Sequence, residues 1–266
     1  MGDCIIESSG GVLVVRFNRP ESMNAMGGTL MDEFDAAMDE AELNDRVKAI
    51  VVTGEGRAWC AGADLQAAAN RGAETEERHD IRARTLDRFG DIGRTVLRLQ
   101  EIGKPTIAAV NGAAVGGGFG LCAGFDIRLA SEKARFSTIF IKRALAPDFG
   151  LSWSLPRLVG PQVAADLFYT ARMVEAQEAL GLGIVLKVVP HDKLMAEALE
   201  YAEMVAKHPP SVVTLTRRAL AASPENNLRD HLQLEWANQR FATSSAEFQE
   251  GVRAFLEKRE PDFSKF

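Results

Sequence analysis

Residues 104–126, KPTIAAVNGAAVGGGFGLCAGFD, constrain the fold of this chain more than any other stretch. An apolar run of strand character at 105–110 ends at Asn111 and Gly112, a dipeptide that marks a turn. The three glycines at 116–118 then lead into a small-residue segment of helical character. Glycines before a helix let a ligand approach the backbone, and the first amides of a helix have no internal partner. The stretch fits an anion or oxyanion site, or simply tight packing of a strand against a helix.

Strands alternate with helices through this half of the chain, which predicts an α/β fold. A valine-rich run at 11–17 and an apolar run at 48–53 are typical of buried strands, and apolar residues from Thr29 onward recur with helical spacing. The small-residue segment 58–65 is expected to be a loop that enters a helix. Further strands are expected at 125–129 and 133–137, and a helix at 89–99.

From residue 161 onward helical patterns dominate, interrupted by one strand at 184–189. The tail at 225–257 is amphipathic, so we expect its apolar side to pack on the core or on another subunit. The organisation predicted is a core at 1–195 followed by a helical region at 196–266.

Composition excludes several classes of protein. A net charge of -6 and a pI near 5.4 leave no basic surface for nucleic acid. The three cysteines are widely spaced and the four histidines scattered, so neither a disulfide framework nor a metal site is predicted. No signal peptide is evident and no apolar run reaches about 18 residues, which favours a soluble, cytoplasmic protein without a membrane partner. The charged run 72–88, which holds His79, is expected to be a solvated helix face.

The sequence does not support the common nucleotide-binding motifs or the nucleophile-elbow motif. Residues 118–123 match G-x-G-x-x-A, but a dinucleotide loop needs its first glycine at the turn, which Asn111 and Gly112 already form. The chain has neither a P-loop ending nor a G-x-S-x-G elbow.

Asp148 is a lone carboxylate within the apolar segment 144–157, ALAPDFGLSWSLPR. Two interpretations stay open. It caps a helix that begins around Gly150, a role that aspartate fills well. Alternatively it is a desolvated carboxylate whose proton affinity is raised toward neutrality, as a general base requires.

The order and spacing of five segments make the chain similar to the crotonase (enoyl-CoA hydratase/isomerase) superfamily over nearly its whole length. Each segment alone is only modestly specific, whereas their combination is highly specific. They are residues 18–26 (NRPESMNAM), 59–65 (WCAGADL), 104–121 (KPTIAAVNGAAVGGGFGL), 125–136 (FDIRLASEKARF) and 251–263 (GVRAFLEKREPDF).

This resemblance implies a ClpP-like spiral of repeated β-β-α units with the CoA site in residues 1–195. The helical region 196–266 would then serve to form homotrimers or dimers of trimers. Family members bind acyl-CoA thioesters, with no permanently bound cofactor, and stabilise an enolate through two backbone amides. By motif position these amides belong to Ala63 and Gly117. Such donors lower the barrier because deprotonation beside a thioester places charge on the carbonyl oxygen.

The resemblance also implies a set of contacts to substrate or CoA. The segment 61–65 and the region 23–25 would contact the adenine and pantetheine parts of CoA. Phe140 would line an acyl pocket, and two residues of the tail would reach the CoA of a neighbouring subunit. The set is Met23, Ala25, Ala61, Gly62, Asp64, Leu65, Gly116, Phe140, Phe255 and Lys258.

Departures from the family pattern bear on the reaction. Hydratases of this family use two glutamates, at positions that hold Gly120 and Phe140 here. Asp148 falls where the enoyl-CoA isomerases carry their single acidic residue, and its segment resembles isomerases of the phenylacetyl-CoA epoxide type. The resemblance therefore favours an isomerase with Asp148 as acid and base.

Three alternatives stay open. Aryl-CoA dehalogenases of the superfamily attack the ring with an aspartate at the position of Asp148, but they pair it with a tryptophan where this chain has Phe140. Hydration through non-standard residues is a second alternative. A non-catalytic CoA-ester-binding member of the family is the third.

Overall fold

The computed structural model describes residues 2–65 and 87–266. The strands are β1 (Cys4–Ser9), β2 (Val12–Phe17), β3 (Ala49–Gly54), β4 (Ala58–Cys60), β5 (Thr106–Val110), β6 (Ala113–Val115), β7 (Ile127–Ser131), β8 (Arg135–Ser137), β9 (Val174–Glu175) and β10 (Lys187–Val189). The α-helices, numbered through these ranges, are α1 (Leu30–Leu43), α2 (Gly90–Glu101), α3 (Gly117–Ala123), α4 (Leu151–Val159), α5 (Pro161–Thr170), α6 (Ala176–Gly181), α7 (Leu194–Ala206), α8 (Pro210–Ala222), α9 (Leu228–Thr243) and α10 (Ala246–Glu257).

Two sheets form the centre of the molecule. The larger has the order β1-β2-β3-β5-β7-β10 and the smaller the order β4-β6-β8-β9. Both are parallel except for the antiparallel pairs β1–β2 and β8–β9. Strands β3 and β5 are buried along their whole length, which explains their continuous valine, isoleucine and alanine runs. The predicted α/β class is confirmed.

A repeated unit generates both sheets. A strand of the large sheet is followed by a short strand of the small sheet and then by a helix, as in β5-β6-α3 and β7-β8-α4. The step between sheets after β5 occurs at Asn111 and Gly112, as the turn signal predicted. The Asn111 side chain accepts a hydrogen bond from Gly54 N at 3.2 Å and donates one to Gly56 O at 3.0 Å. This buried amide joins two consecutive repeats directly beneath the glycine-rich segment.

Four strands were not predicted. The segment 58–65, expected as a loop, begins with strand β4, and β1, β6 and β9 were not anticipated. Strands of two or three residues are too short to show an alternating pattern, so their formation depends on their neighbours in the sheet. The charged residues 72–86, including His79, lie outside the described residues.

The helical C-terminal part is uneven in its packing. Helix α7 buries Leu194, Ala198 and Ala202 against the large sheet and so completes the core. Helix α9 buries no side chain, although it carries the predicted apolar residues. Helix α10 buries Glu247 and Ala254, and no residue of α9 or α10 belongs to the core clusters of the described chain. The exposed large apolar residues of this part include Leu228, Leu232, Trp236, Phe241, Phe248, Val252, Phe255 and Leu256. No described helix is both long and apolar enough to span a bilayer.

Candidate active site

The first side of the site is the segment that follows β4. Ala63 lies opposite Met26 in an isolated parallel bridge. Met26 N–H donates to Gly62 O at 2.7 Å, and Asp64 N–H donates to Met26 O at 3.4 Å. In a parallel bridge the flanking residues make the hydrogen bonds, so the N–H of Ala63 itself points away from Met26. Within the described chain this N–H has no hydrogen-bond acceptor.

The second side is the start of α3. Gly116 N–H donates to Ser137 O at 2.9 Å, and the helix begins at the next residue, Gly117. The N–H of Gly117 belongs to the first helical turn, whose amides have no acceptor inside the helix. Gly62 brings the two sides together: its φ is +84°, and a Cβ on it would lie 2.7 Å from Val115 O and 3.1 Å from Gly117 N. Only glycine permits this approach, which leaves two outward-pointing N–H groups on adjacent segments.

Asp148 lies against the start of α3. Its Oδ1 is 3.3 Å from the position that a Cβ on Gly117 would occupy. This oxygen is buried and has no hydrogen-bond partner among the described residues. Burial raises the pKa of the Asp148 carboxyl above its ordinary value. The structure therefore brings together Ala63, Gly117 and Asp148, the three residues expected to be catalytic.

The helix-cap interpretation of Asp148 is wrong. Helix α4 starts at Leu151 after Gly150, and no side chain caps it. Instead, Leu151 N–H donates to the backbone carbonyl of Asp148 at 3.0 Å. The carboxylate is thus left available for another role.

The residues expected to contact CoA near the first side form one patch. Ala61 N–H donates to Met23 O at 3.1 Å, and Arg19 Nη1 donates to Ala25 O at 2.7 Å. Arg19 also holds Asp64, with 3.2 Å between Nη2 and Oδ2. The carboxylate of Asp64 is therefore engaged in fixing the segment, while the side chains of Met23 and, next along the chain, Leu65 are exposed.

Phe140 lies beside the glycines, as expected. Its side chain is only 4% exposed, and its Cε1 is 4.0 Å from the position of a Cβ on Gly116. The same side chain lines an apolar cavity of about 390 Å³ together with Leu145, Pro147 and Phe168. Phe140 therefore lies between the glycine segment and a space that could hold an apolar group.

The structure does not bring Phe255 and Lys258 into this site by contact. Phe255 is 82% exposed on α10, and Lys258 ends that helix in a left-handed conformation. Neither has a side-chain hydrogen bond or ion pair within the described chain.

One side chain that positions the site, Asn24, was not identified from the sequence. Asn24 is fully buried, and its Nδ2 donates to Glu55 O at 2.9 Å and to Ala58 O at 2.8 Å. Its Oδ1 accepts from Arg19 N at 2.8 Å. Asn24 therefore ties the 18–26 loop to the strand that precedes Ala63. A signal was present, because asparagine tolerates the left-handed conformation that this residue adopts, at φ 54°.

Cysteine chemistry and metal chemistry find no support at the site. Burial raises the pKa of Cys60 and of Cys122 to about 12, so neither thiol ionises near neutrality. Within 2–65 and 87–266, no group of three metal-ligating side chains is present.

A second cavity, of about 750 Å³, lies between α4, α7 and α8. Trp153, Tyr201 and Leu220 are among its lining residues, and none of the expected site residues lines it. Its position does not change the assignment of the site.

In this two-sheet α/β protein, two N–H groups without an acceptor among the described residues lie beside a half-buried carboxylate, an arrangement that could stabilise an anion next to a proton donor or acceptor. Comparison with known proteins identifies the family. The chain belongs to the enoyl-CoA hydratase/isomerase family, whose model matches residues 7–265. Members of this family are enzymes that act on acyl-CoA substrates.

Relatives with different activities are about equally similar to this chain. It is 35% identical over 261 residues to the short-chain-enoyl-CoA hydratase of Clostridium acetobutylicum, covering 97% of this chain and 96% of that protein. It is 34% identical over 254 residues to the 1,2-epoxyphenylacetyl-CoA isomerase of Escherichia coli, covering 96% and 95%. Among solved structures, an enoyl-CoA hydratase from Bacillus anthracis superposes with a TM-score of 0.90 at 30% identity, covering 100% of both chains. The crotonase fold is thereby confirmed, whereas identity alone does not separate the two reactions.

Proposed function

We propose that this protein is a CoA-dependent isomerase that shifts a double bond, or rearranges a ring, in an acyl thioester. Asp148 is the acid and base, and the N–H groups of Ala63 and Gly117 hold the thioester oxygen. The observation that carries the proposal is the Oδ1 of Asp148, which is buried, has no hydrogen-bond partner among the described residues, and lies 3.3 Å from the Cβ position of Gly117. A buried carboxylate beside free N–H groups suits proton transfer next to a developing oxyanion.

One carboxylate suffices for this reaction. The Asp148 carboxylate takes a proton from C2 of a 3-enoyl thioester, and the electrons of that C–H bond delocalise onto the thioester oxygen. The N–H groups of Ala63 and Gly117 stabilise the resulting dienolate. The Asp148 carboxylic acid then returns the proton at C4, which leaves the double bond between C2 and C3. The raised pKa of Asp148 favours the return step, because the acid form is stable in the buried site.

Hydration of a 2-enoyl thioester is a second candidate, and similarity to the Clostridium acetobutylicum hydratase favours it. Water addition needs a base for the water and an acid for the carbanion. The positions of the two family glutamates hold Gly120 and Phe140, neither of which can transfer a proton. Asp148 would have to perform both steps alone, so we rank hydration below isomerisation.

CoA binding and assembly are part of the same proposal. The adenine and pantetheine parts of CoA would contact the patch formed by residues 23–25 and 61–65. The acyl group would lie against Phe140, whose side chain also borders the 390 Å³ cavity. The uncovered apolar surface of α9 and α10 supports a homotrimer or a dimer of trimers, in which Phe255 and Lys258 reach the CoA of the next subunit.

Deuterium exchange tests the proposal directly. The protein is incubated in D₂O with a panel of 3-enoyl- and phenylacetyl-derived CoA esters, and the products are analysed by mass spectrometry. Isomerisation gives deuterium in an ester that has gained no oxygen, whereas hydration adds the mass of one water. Binding of every ester without exchange at C2 would contradict isomerisation. If a 2-enoyl-CoA ester also binds without gaining water, hydration is contradicted as well and a non-catalytic role is favoured.

A further inference from the structure

The turn at 148–150 lies against a face of α3 that carries only glycines. Gly117 and Gly120 are three residues apart and so occupy the same side of the helix. A Cβ on Gly117 would lie 3.0 Å from Phe149 Cδ2 and 3.3 Å from Asp148 Oδ1. A Cβ on Gly120 would lie 2.6 Å from Phe149 Cβ and 3.0 Å from the backbone oxygen of Asp148. A contact of 2.6 Å between carbon atoms is far inside their normal separation, so a side chain at position 120 would displace the turn.

The turn has little freedom to adapt. Phe149 and Gly150 are both left-handed, with φ values of 48° and 66°. Phe149 is buried, and a Cβ on Gly150 would lie 3.3 Å from Val96 Cγ1 of helix α2. Helices α2 and α3 therefore enclose the turn, which is not a free loop. A side chain added at position 120 would displace Asp148 together with the turn.

We propose that Gly120 is the positioning residue for Asp148: its missing side chain lets the 148–150 turn reach α3 and sets the carboxylate beside the N–H of Gly117. This inference rests on the proposed isomerase function. It also gives the glycine at position 120 a structural role, beyond the absence of the glutamate that hydratases of the family have there. In this chain a side chain at position 120 would displace the turn that holds Asp148 in its observed place.

Gly120→Ala is the direct test, with kcat and KM measured on the 3-enoyl-CoA ester that turns over best. We expect kcat to fall about 100-fold with KM little changed, since a displacement of about 1 Å of a catalytic group has an effect of that size. The acid limb of the kcat profile should move to lower pH as the displaced carboxylate becomes better solvated. A merely structural weakening would leave that midpoint in place.

Two further variants make the test specific. Phe149→Gly in the Gly120→Ala background removes the Cβ that collides and suits the left-handed backbone, so it should restore kcat at least tenfold over Gly120→Ala. Gly124→Ala, at the end of the same helix, meets the buried Leu99 Cδ2 at 3.0 Å and Leu121 O at 3.2 Å but no atom of the 148–150 turn, so it should leave kcat near wild type. Because Phe149 belongs to the core, Phe149→Gly alone controls for loss of its ring. If Gly120→Ala does not fold, the double variant is compared with Phe149→Gly and should turn over faster than Asp148→Asn. A double variant as slow as Asp148→Asn overturns the inference.

Failure of the inference can be distinguished from failure of the proposed function. If Asp148→Asn turns over normally, the isomerase assignment fails, and a crystal structure of Gly120→Ala still decides whether Asp148 is displaced. If Asp148→Asn is inactive but Gly120→Ala turns over like wild type, the positioning role fails alone. A Gly120→Ala structure with Asp148 in its original place also overturns that role.

Discussion

The two halves of the site differ in how they are held. Hydrogen bonds to neighbouring residues hold the backbone half, residues 61–64 and 116–117. In the side-chain half, the turn 148–150, the Oδ1 of Asp148 is buried and has no partner among the described residues. In the backbone half, Gly62 O and Gly116 N–H are both bonded, and the two free N–H groups carry no net charge. The side-chain half holds an ionisable group that burial destabilises in its charged form. The two halves should therefore respond differently to chemical change. Changes to the backbone half should alter mainly kcat, and changes to the side-chain half should alter both kcat and the free energy of unfolding.

Removing the charge from the side-chain half should have the largest effect. Asp148→Asn keeps the shape of the side chain but cannot take a proton, so kcat for isomerisation should fall by about 10³-fold, within the usual range for general acid–base groups. Binding of the CoA ester, measured by calorimetry, should be little changed. Asp91→Asn, at an exposed surface carboxylate on α2, is the control and should retain wild-type turnover. Near-normal turnover of Asp148→Asn would remove the side-chain half from the mechanism.

Removing a donor from the backbone half should have the next largest effect. Replacing Ala63 with lactic acid by cell-free translation exchanges its N–H for an oxygen and retains the methyl group. We expect kcat to fall about 10²-fold, as for loss of one oxyanion donor. The ester also makes Gly62 O a weaker acceptor for Met26 N–H. The free energy of unfolding should therefore fall slightly, but by less than for a lost hydrogen bond, since the Ala63 N–H itself has no acceptor within the described chain.

The same exchange at Ala134 is the control for Ala63. Ala134 N–H donates to Ser131 O at 2.9 Å in the turn between β7 and β8, and it is not one of the site residues. Its ester should lower the free energy of unfolding by about 1 kcal/mol and leave kcat unchanged. If the Ala63 ester loses stability but not rate, that N–H is structural and the two halves are not distinct.

These two halves were also unequally predictable. The backbone half follows from local sequence, because three consecutive glycines after a strand and a turn already predict exposed amides at a helix start. The identity of Asp148 as a candidate follows from its apolar surroundings in the sequence. Its conformation does not, since the cap and base interpretations fit the same residues equally well.

What could not be predicted depends on contacts between distant segments. The glycine at 120 is explained only by its approach to Phe149, which comes from a later repeat of the fold. The strand β4 and the buried side chain of Asn24 likewise depend on partners supplied by neighbouring segments. No local periodicity records such contacts, and this is where the sequence interpretation was incomplete.

The pH dependence of turnover also distinguishes the side-chain half from the backbone half. Because burial raises the pKa of Asp148, its carboxylate protonates at a higher pH than an ordinary aspartate, whose pKa is 3.8. Turnover that needs the base form should therefore fall as pH drops through the raised value, by about tenfold per pH unit below it. The Ala63 ester should show the same midpoint at a lower rate, because it leaves the carboxylate in place. An acid limb at the ordinary aspartate value in the wild-type protein would contradict a buried base.

The smallest expected effect is on stability, and it separates the halves most cleanly. Between pH 3.8 and the raised pKa of Asp148, the folded chain binds more protons than the unfolded chain, so the free energy of unfolding falls as pH rises and stays lower above that window. Asp148→Asn removes this cost. At pH 7 it should be more stable than wild type, and the gain should vanish as the pH approaches 3.8. Urea unfolding at equal protomer concentration measures it, since assembly makes apparent stability depend on concentration. A loss of stability in Asp148→Asn at neutral pH would mean that the carboxylate is satisfied in the folded protein, and the contrast between the two halves would be lost.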